Sequence, residues 1–423
     1  MNISKRISKM FLLVVIAFLM TFTLTTAAKA APTKVTGLKQ TEHNIYSIKL
    51  EWNALLDNGI RYEVALSTDK KNWVVKEDRV YGNTKNIYNL NAGTTYYVKV
   101  RGYVEESSVK QYGEYSNVVA CVTSPNSKPG NLKKTDSTTN SITLNWSKVP
   151  GANCYVVEYR RSNASNGTKY SRKVVTSTKV TLSKLSKDTK YNVYVYPARR
   201  TGSKGYVAES RSYSYYAYIS SVGTTPTQVS GVQIPYYYNG YDSSGAIRVE
   251  CTPKESADGY QYEVWTAYKI KDTKVASTTG GSYGYLKSTA LKKKNFFKVR
   301  VRGYAENSNG SKKYGQWSSW KYVCQQPRIV NISCTSKGIK YSWDTIQGAY
   351  KYDLYVSLKK DSGYKKAATV KKSNYTLTKF NKKSLKKGRT YYAYVVAYNK
   401  VGKKLYCGEA GNANSCWYTT YNR

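Results

Sequence analysis

Histidine, the side chain most often used for acid–base chemistry near neutral pH, occurs once in this sequence of 423 residues. It is His43, in the stretch Thr41-Glu42-His43-Asn44, where a loop is expected. Nucleophilic triads usually need a histidine, and glycosidases need two carboxylates across a cleft, a pairing that the sequence does not indicate. No glycine-rich phosphate loop precedes a helix, because no helix is predicted beyond the N-terminal segment. We therefore expect a protein that is not an enzyme, with no catalytic residue and no cofactor.

Lysines are the first candidates for ligand binding. The chain has 68 Lys and Arg against 25 Asp and Glu, and this formal net charge of +43 attracts polyanions with a strength that depends on salt. Lysine pairs, including Lys359-Lys360, are expected in turns and strand ends, where several can converge on one rim. The alternative is a solvated surface that blunts sheet edges. The candidate polyanion-binding residues are Lys292, Lys293, Lys294, Lys365, Lys366, Lys371, Lys372, Lys382, Lys383, Lys386 and Lys387.

Tyrosines are the second candidates, since the chain contains 45 of them. Four lie between Tyr213 and Tyr218, and Tyr236-Tyr237-Tyr238-Asn-Gly-Tyr241 follows after a linker. Exposed tyrosine rings in a loop can stack on sugar faces while their hydroxyls bind the rim of the sugar. The alternative is packing between domains. The candidate glycan-stacking residues are Tyr236, Tyr237, Tyr238 and Tyr241.

The elements that must position these side chains are short strands that recur in four units. Each unit opens with a proline and continues with a Trp-type position about nine residues before a tyrosine. A leucine then stands six residues before an aromatic residue that begins an alternating strand. Such alternating runs between turns predict an all-β sandwich of about 100 residues per unit. The Trp-type positions are Trp52, Trp146, Cys251 and Trp343, and the strand-opening aromatics are Tyr96, Tyr191, Phe297 and Tyr391.

These motifs resemble the fibronectin type III family, above all Leu90-Asn-Ala-Gly-Thr-Thr-Tyr96 and Leu385-Lys-Lys-Gly-Arg-Thr-Tyr391. The resemblance implies four tandem immunoglobulin-like sandwiches that serve as spacer, adhesion or ligand-binding modules. It also implies that the tryptophan fills the space between two sheets and that the tyrosine hydroxyl bonds to the nearby corner backbone. The third unit departs from the pattern at Cys251 and Phe297. Tandem repeats in an exported, Lys-rich and Tyr-rich chain look like secreted or surface proteins of Gram-positive bacteria.

The N-terminal segment predicts export. Basic residues precede an apolar run at 10–24, and Ala28-Lys29-Ala30 provides small residues for cleavage between Ala30 and Ala31. No later stretch is apolar enough to span a bilayer. We expect a secreted or cell-surface protein that is associated non-covalently. The predicted ranges are 1–30 for the signal peptide and 31–125, 126–225, 226–326 (divergent) and 327–423 for four fibronectin type III-like domains.

The seven cysteines fit buried thiols or one or two local disulfides better than a metal site, because no CxxC spacing occurs. Their odd number leaves at least one thiol unpaired. A bond between Cys334 and Cys416 would tie the first and last strands of the fourth unit, but Cys407 competes for it. The cysteines are Cys121, Cys154, Cys251, Cys324, Cys334, Cys407 and Cys416.

The basic strand Lys298-Val-Arg300-Val-Arg302 has a structural interpretation. With Phe297 and the valines pointing inward, its cations point outward beside Trp317 and Trp320 of the next strand, where they can stack on the indole faces. The stretch therefore identifies the fold better than it identifies a ligand site.

Charge distribution guides the choice of partner. Range 31–125 has 12 basic and 10 acidic residues, whereas 327–423 has 20 basic and 4 acidic ones. We expect an anionic polymer or glycan of a cell wall or host surface to prefer the later units. Export and the lack of a recognition helix argue against specific nucleic-acid binding. A carbohydrate-binding accessory protein of a glycan-degrading system and a pure spacer are the alternatives.

Overall fold

The computed structural model describes residues 30–56, 59–238, 245–268, 272–293, 295–324, 327–407 and 417–421. Within them the regular secondary structure is almost entirely β-strand, which confirms the predicted all-β sandwich class. Residues 1–29 of the predicted signal peptide, which spans 1–30, lie outside the described residues. Ala30 and Ala31, on either side of the predicted cleavage point, are exposed.

Four successive units have the same strand topology. Each pairs a three-stranded sheet with a larger sheet, in which one long central strand pairs with two successive pieces of the last strand. The strands of unit 1 are β1 Lys39–His43, β2 Ile48–Glu51, β3 Arg61–Ser67, β4 Val74–Val80, β5 Thr84–Ile87, β6 Thr95–Glu106, β7 Val109–Tyr112 and β8 Val119–Val122. Those of unit 2 are β9 Lys133–Thr138, β10 Ser141–Asn145, β11 Cys154–Arg161, β12 Ser171–Val175, β13 Lys179–Leu182, β14 Lys190–Arg200, β15 Val207–Glu209 and β16 Ala217–Gly223.

The last two units continue the numbering. The strands of unit 3 are β17 Gln233–Tyr238, β18 Ala246–Glu250, β19 Gly259–Thr266, β20 Lys274–Gly280, β21 Tyr283–Lys287, β22 Phe296–Glu306, β23 Lys312–Tyr314 and β24 Lys321–Cys324. Those of unit 4 are β25 Ile329–Thr335, β26 Gly338–Trp343, β27 Lys351–Ser357, β28 Lys365–Val370, β29 Asn374–Leu377, β30 Lys379–Phe380, β31 Lys383–Ser384, β32 Arg389–Val401, β33 Lys404–Cys407 and β34 Trp417–Tyr421. Two short 3-10 helices, Tyr213–Tyr215 and Thr289–Lys292, are turns that the sequence did not predict.

In each of the four units, the two sheets face each other and each buries one face in the core between them. The long strand β6 alternates between buried and partly exposed residues, because successive side chains point to opposite faces. Trp52 is 1 % exposed, and its ring meets that of Tyr62 at 5.3 Å between centroids. Trp146 and Trp343 are buried in the same way, each beside the tyrosine nine residues later. The repeated tryptophan–tyrosine spacing in the sequence therefore corresponds to a ring contact between the two sheets of a unit.

The strand-opening tyrosines fasten the corner that leads into the long strand. The hydroxyl of Tyr96 accepts a hydrogen bond from the backbone N–H of Asn91 at 2.8 Å. Tyr191 and Tyr391 accept equivalent bonds from residues 186 and 386 at 2.9 and 3.0 Å. Each such bond contributes about 1 kcal/mol to the free energy of unfolding. Phe297 is fully buried at the same place in unit 3 but has no hydroxyl to make the bond.

The structure corrects the expected setting of His43. It is the last residue of β1 rather than a loop residue, and it is half-buried against unit 2. Its Nδ1 lies 2.8 Å from the hydroxyl of Tyr206. Burial lowers the pKa of the imidazole below its ordinary value of 6.5, an effect that Glu209 partly offsets. The only histidine of the chain therefore belongs to a contact between units, which no local pattern could reveal.

Candidate functional site

The outer face of the larger sheet in unit 3 stacks cations on tryptophans. The guanidinium of Arg300 lies 4.2 Å from the ring centroid of Trp317 and 4.6 Å from that of Trp320. Arg302 also covers Trp317, and Lys298 covers Trp320. Each exposed pair of this kind contributes about 0.5 to 1 kcal/mol. The two tryptophans lie between β23 and β24 rather than on the next strand as the sequence predicted, so the cations of the basic strand stack on a connection of their own sheet.

Unit 1 builds the same arrangement with different aromatics. The ammonium of Lys99 lies 4.0 Å from the ring centroid of Tyr115, and the guanidinium of Arg101 lies 3.7 Å from that of Tyr112. Glu63 accepts hydrogen bonds from Arg101 at 2.8 Å and from the hydroxyl of Tyr115 at 2.5 Å. Burial, together with Glu63, raises the pKa of Tyr115 to about 12, so the hydroxyl remains a donor at neutral pH.

A carboxylate on the strand that pairs with the start and middle of the long strand anchors this face in every unit. In unit 3, burial alone would raise the pKa of Glu263, but hydrogen bonds from Arg300, Trp265 and Lys274 hold it below its usual value. The sequence analysis did not single out these residues. A signal was present, because in each unit an acidic residue stands one or three positions after the tyrosine that follows the Trp-type position. The four anchors are Glu63, Glu158, Glu263 and Asp353.

Unit 2 exchanges the roles of strand and loop on this face. Its long strand carries Tyr194 and Tyr196 instead of cations, and the cation comes from Arg211 in the following segment, 5.0 Å from the ring centroid of Tyr196. Arg211 donates to Glu158 at 2.8 Å and to Glu209 at 2.9 Å. This double ion pair fixes the segment that follows β15. A cluster of tyrosines results, whose members are Tyr170, Tyr194, Tyr196, Tyr213, Tyr216 and Tyr218.

An open cleft of about 700 Å³ lies beside this cluster. Volumes between about 300 and 1,000 Å³ are typical of small-molecule sites. The rings of Tyr194 and Tyr218 pack at 4.6 Å between centroids, and those of Tyr213 and Tyr216 at 5.6 Å. Burial raises the pKa of Tyr194 to about 12, so this hydroxyl also stays protonated. We call this the tyrosine cleft, and its lining includes Lys128, Asn131, Tyr194, Tyr213, Tyr216 and Tyr218.

The tyrosines singled out by sequence come at the start of unit 3 in the chain. Tyr236, Tyr237 and Tyr238 belong to strand β17, which pairs with β18, and their side chains are outside the description. Tyr241 lies outside the described residues altogether. Their assignment to glycan stacking stays a prediction. The tyrosine cleft instead forms from residues of unit 2, because strands that are distant in sequence place their side chains on one face.

The predicted lysines of unit 4 fall into two groups. The strand register places Lys365 at the end of the sandwich where β27 ends and β32 begins. The turn after β27 and the connection before β32 lie at that same end, which we call the distal end because unit 3 packs at the other. The exposed lysines there are Lys359, Lys360, Lys365, Lys382, Lys383, Lys386 and Lys387.

The remaining candidates lie elsewhere. Lys366 is exposed on β28 and lies 3.8 Å from a carboxylate oxygen of Asp353. Lys371 and Lys372 follow β28 at the opposite end, towards unit 3, and Lys371 lies over the ring of Tyr350 at 5.7 Å. The remaining predicted lysines are in unit 3, where Lys292 and Lys293 are exposed beside the junction with unit 4 and Lys294 lies outside the described residues.

The cysteines are the remaining side chains that could do chemistry. Cys121, Cys154, Cys251 and Cys324 are buried, and burial raises the pKa of the Cys121 thiol to about 12. Cys334 Sγ lies 4.0 Å from Thr419 Oγ1, while Cys416 is outside the described residues, so the Cys334–Cys416 disulfide stays a prediction. Within the described ranges, no three His, Cys, Asp or Glu side chains gather as metal ligands. No helix in that part of the chain has the length and apolar character needed to cross a membrane.

Comparison with known proteins identifies the second unit. Residues 127–214 match the Fibronectin type III domain family, so unit 2 is a fibronectin type III domain, and units 1, 3 and 4 have the same strand topology. Among solved structures, the chain is similar to the FN1-FN3 domains of chicken CNTN1, with 18% identity, a TM-score of 0.25, and coverage of 70% of this chain and 99% of that one. It is also similar to a two-domain fibronectin type III segment of chicken tenascin, with 18% identity, a TM-score of 0.23, and coverage of 44% and 99%. No match was found among curated proteins.

Proposed function

We propose that this chain, a tandem of fibronectin type III-like sandwiches, is an exported, non-catalytic protein that binds anionic polymers of a cell wall or host surface. The observation that supports this proposal is the set of exposed lysines at the distal end of unit 4. Asp361 is the only acidic residue among the described residues of that end. Closely spaced ammonium groups without carboxylates nearby attract a chain of phosphates, sulfates or carboxylates.

Most acidic residues elsewhere in the chain already form ion pairs, which supports the proposed binding of anionic polymers. In unit 2 all four acids form ion pairs: Asp136 with Lys313, Asp188 with Lys254, and Glu158 and Glu209 with Arg211. These pairs hold sheet faces and junctions together within the chain. Acids that serve structure cannot screen lysines at a distant end, so the distal lysines remain available to a partner.

The test measures the salt dependence of binding by the full-length chain to immobilised polyphosphate and to heparin. A distal variant replaces Lys359, Lys360, Lys382, Lys383, Lys386 and Lys387 with glutamine. We expect elution at clearly lower salt, and the slope of log affinity against log salt should shrink by about five if all six lysines contact the polymer.

A matched control removes the same charge from unit 2 by replacing Lys133, Lys148, Lys169, Lys179, Lys187 and Lys204, which are all exposed. This control should elute close to the unaltered chain. Equal losses in both variants would show that net charge alone causes retention. Failure of the unaltered chain to bind either polymer at about 0.15 M salt would favour a spacer.

A further inference from the structure

The larger sheet of unit 2 exposes aromatic rings that units 1 and 3 cover with their own cations. In those units Arg101 and Arg300 lie over the neighbouring tyrosines and tryptophans. Within the described residues of unit 2, cations lie over Tyr170 and Tyr196 only, as Arg160 and Arg211 respectively. Within the same residues no cation lies over the rings that line the tyrosine cleft, and the most exposed of them, Tyr213 and Tyr218, leave ring surface open to a ligand.

Two of these rings face solvent. Tyr213 is 84% exposed and Tyr218 is 46% exposed, so part of each ring is open to a ligand. The backbone that carries Tyr213 is held by the ion pairs of Arg211 with Glu158 and Glu209, and Tyr218 lies on β16, which pairs with β14. Both rings therefore start from an ordered backbone, which lowers the conformational entropy that binding costs.

The polar groups of the cleft suit a hydroxylated ligand. Tyrosine hydroxyls both donate and accept hydrogen bonds, and Asn131 adds an amide at the rim. Lys128 adds an ammonium group on the same side. An apolar ligand would leave these groups without partners, and a purely anionic ligand would gain little from the rings.

We propose that the tyrosine cleft of unit 2 is a saccharide-binding site that accepts a chain of pyranose rings. The C–H face of a pyranose stacks on Tyr213 and Tyr218, and its hydroxyls hydrogen-bond to the tyrosine hydroxyls, Asn131 and Lys128. This site is separate from the distal lysines of unit 4. It holds its ligand mainly through stacking and neutral hydrogen bonds, which salt screens weakly.

The experiment uses the full-length chain in affinity electrophoresis at about 0.5 M salt, which suppresses binding by lysines. The probes are soluble β-glucan, mannan, xylan and polygalacturonate, so that neutral and acidic pyranose chains are compared. We expect at least one probe to retard the chain. Replacing Tyr213 or Tyr218 with alanine should weaken that binding about tenfold or more, whereas Tyr213→Phe should retain most of it because the ring is kept.

The matched control is Tyr88→Ala in unit 1, a tyrosine that is 60% exposed and lies outside the cleft. It should bind like the unaltered chain, and hydrogen exchange should show intact strands in every variant. The proposal is wrong if none of the four polysaccharides retards the chain, or if Tyr213→Ala and Tyr88→Ala bind equally. Tyrosine-dependent binding of a proline-rich peptide without any sugar binding would also overturn it. Because high salt suppresses the lysine site, failure here leaves the polyanion result unaffected.

Discussion

Cys251 in unit 3 occupies the position that holds tryptophan in the other three units. The missing volume is supplied by Tyr262, which is fully buried and whose hydroxyl donates to the carbonyl of Gly281 at 2.6 Å. Gly284 on the facing strand makes room, because a Cβ there would lie 2.6 Å from the Tyr262 ring. The indole N–H groups of Trp52, Trp146 and Trp343 have no partner within the described residues. Unit 3 thus fills its core with a residue whose polar atom is satisfied.

This compensation predicts a coupled pair of substitutions. Cys251→Trp alone should overpack unit 3, and Tyr262→Val alone should leave a cavity, each lowering the free energy of unfolding by about 2 to 4 kcal/mol. The double variant should recover at least about 1 kcal/mol of the summed loss. Hydrogen exchange of β18 and β21 in the full chain gives these values. Trp146→Cys in unit 2 serves as the control, because Val157 there cannot compensate for the lost indole. Strict additivity of the two losses of stability in unit 3 would refute the coupling.

At the scale of elements, the first junction brings loops of unit 1 against those of unit 2. Gly93 and Gly151 approach so closely that a Cβ on Gly151 would lie 3.0 Å from the Cα of Gly93. Both glycines have positive φ, which other residues rarely adopt. Arg199 donates to Thr95 at 2.8 Å, and Ser210 donates to the carbonyl of Pro125. His43 and Tyr206 complete this contact.

The buried imidazole makes the first junction sensitive to pH. The pKa of His43 is lower in the closed junction than its ordinary 6.5, mainly through burial, while Glu209 raises it and Arg211 and Arg172 lower it. The imidazole therefore binds a proton more readily when the junction is open than when it is closed. The contribution of neutral His43 to the stability of the closed junction is complete above about pH 6.5 and declines as the pH falls below that value. Nuclear magnetic resonance of the single histidine should give a titration midpoint below 6.5.

A substitution that opens the junction tests the cause. Gly151→Ala should force the loops apart and return the midpoint of His43 towards 6.5, because the imidazole regains water. Gly82→Ala changes a glycine of similar φ with nothing within 4 Å, so it should leave the midpoint unchanged. A midpoint near 6.5 in the unaltered chain would contradict burial at the junction.

At the scale of the whole molecule, the junctions differ in chemistry. The second junction joins units 2 and 3 through ion pairs, such as Lys190 with Asp258 at 3.1 Å. The third is apolar, since Phe296, Tyr322 and Cys324 of unit 3 belong to the same hydrophobic cluster as the core of unit 4. The backbone N–H of Phe296 also donates to the carbonyl of Gln347 at 3.0 Å. Residues at the end of unit 3 therefore extend the core of unit 4 across the junction, while the core of unit 3 forms a separate cluster.

Two adjacent phenylalanines allow this extension of the unit 4 core to be tested. Phe296 and Phe297 are both fully buried, but Phe296 packs with unit 4 and Phe297 with unit 3. Phe296→Ala should accelerate hydrogen exchange in β27 and β32 of unit 4, with a loss of about 3 to 5 kcal/mol in local stability. Phe297→Ala should act first on β18 and β21 of unit 3. Unchanged exchange in unit 4 after Phe296→Ala would mean that Phe296 does not stabilise the core of unit 4.

The sequence by itself determined the strands, the sandwich and the inward positions of this protein. Alternation along a strand is a local pattern, and four repetitions made the Trp52 and Tyr96 positions readable without coordinates. It also determined the excess of positive charge. Tyr194 and Tyr218 show the limit, because the abundance of tyrosine alone did not indicate that these two rings meet.

Only the tertiary structure decided which residues meet across long separations in the chain. The register of strands placed Lys365 and Lys371 at opposite ends of unit 4, although they are only six positions apart in the sequence. Sheet pairing brought Tyr194 beside Tyr218, and packing between units buried His43 against Tyr206. Such contacts depend on strand registration and on surfaces from different units, whereas a sequence pattern reports only the periodicity of one strand at a time.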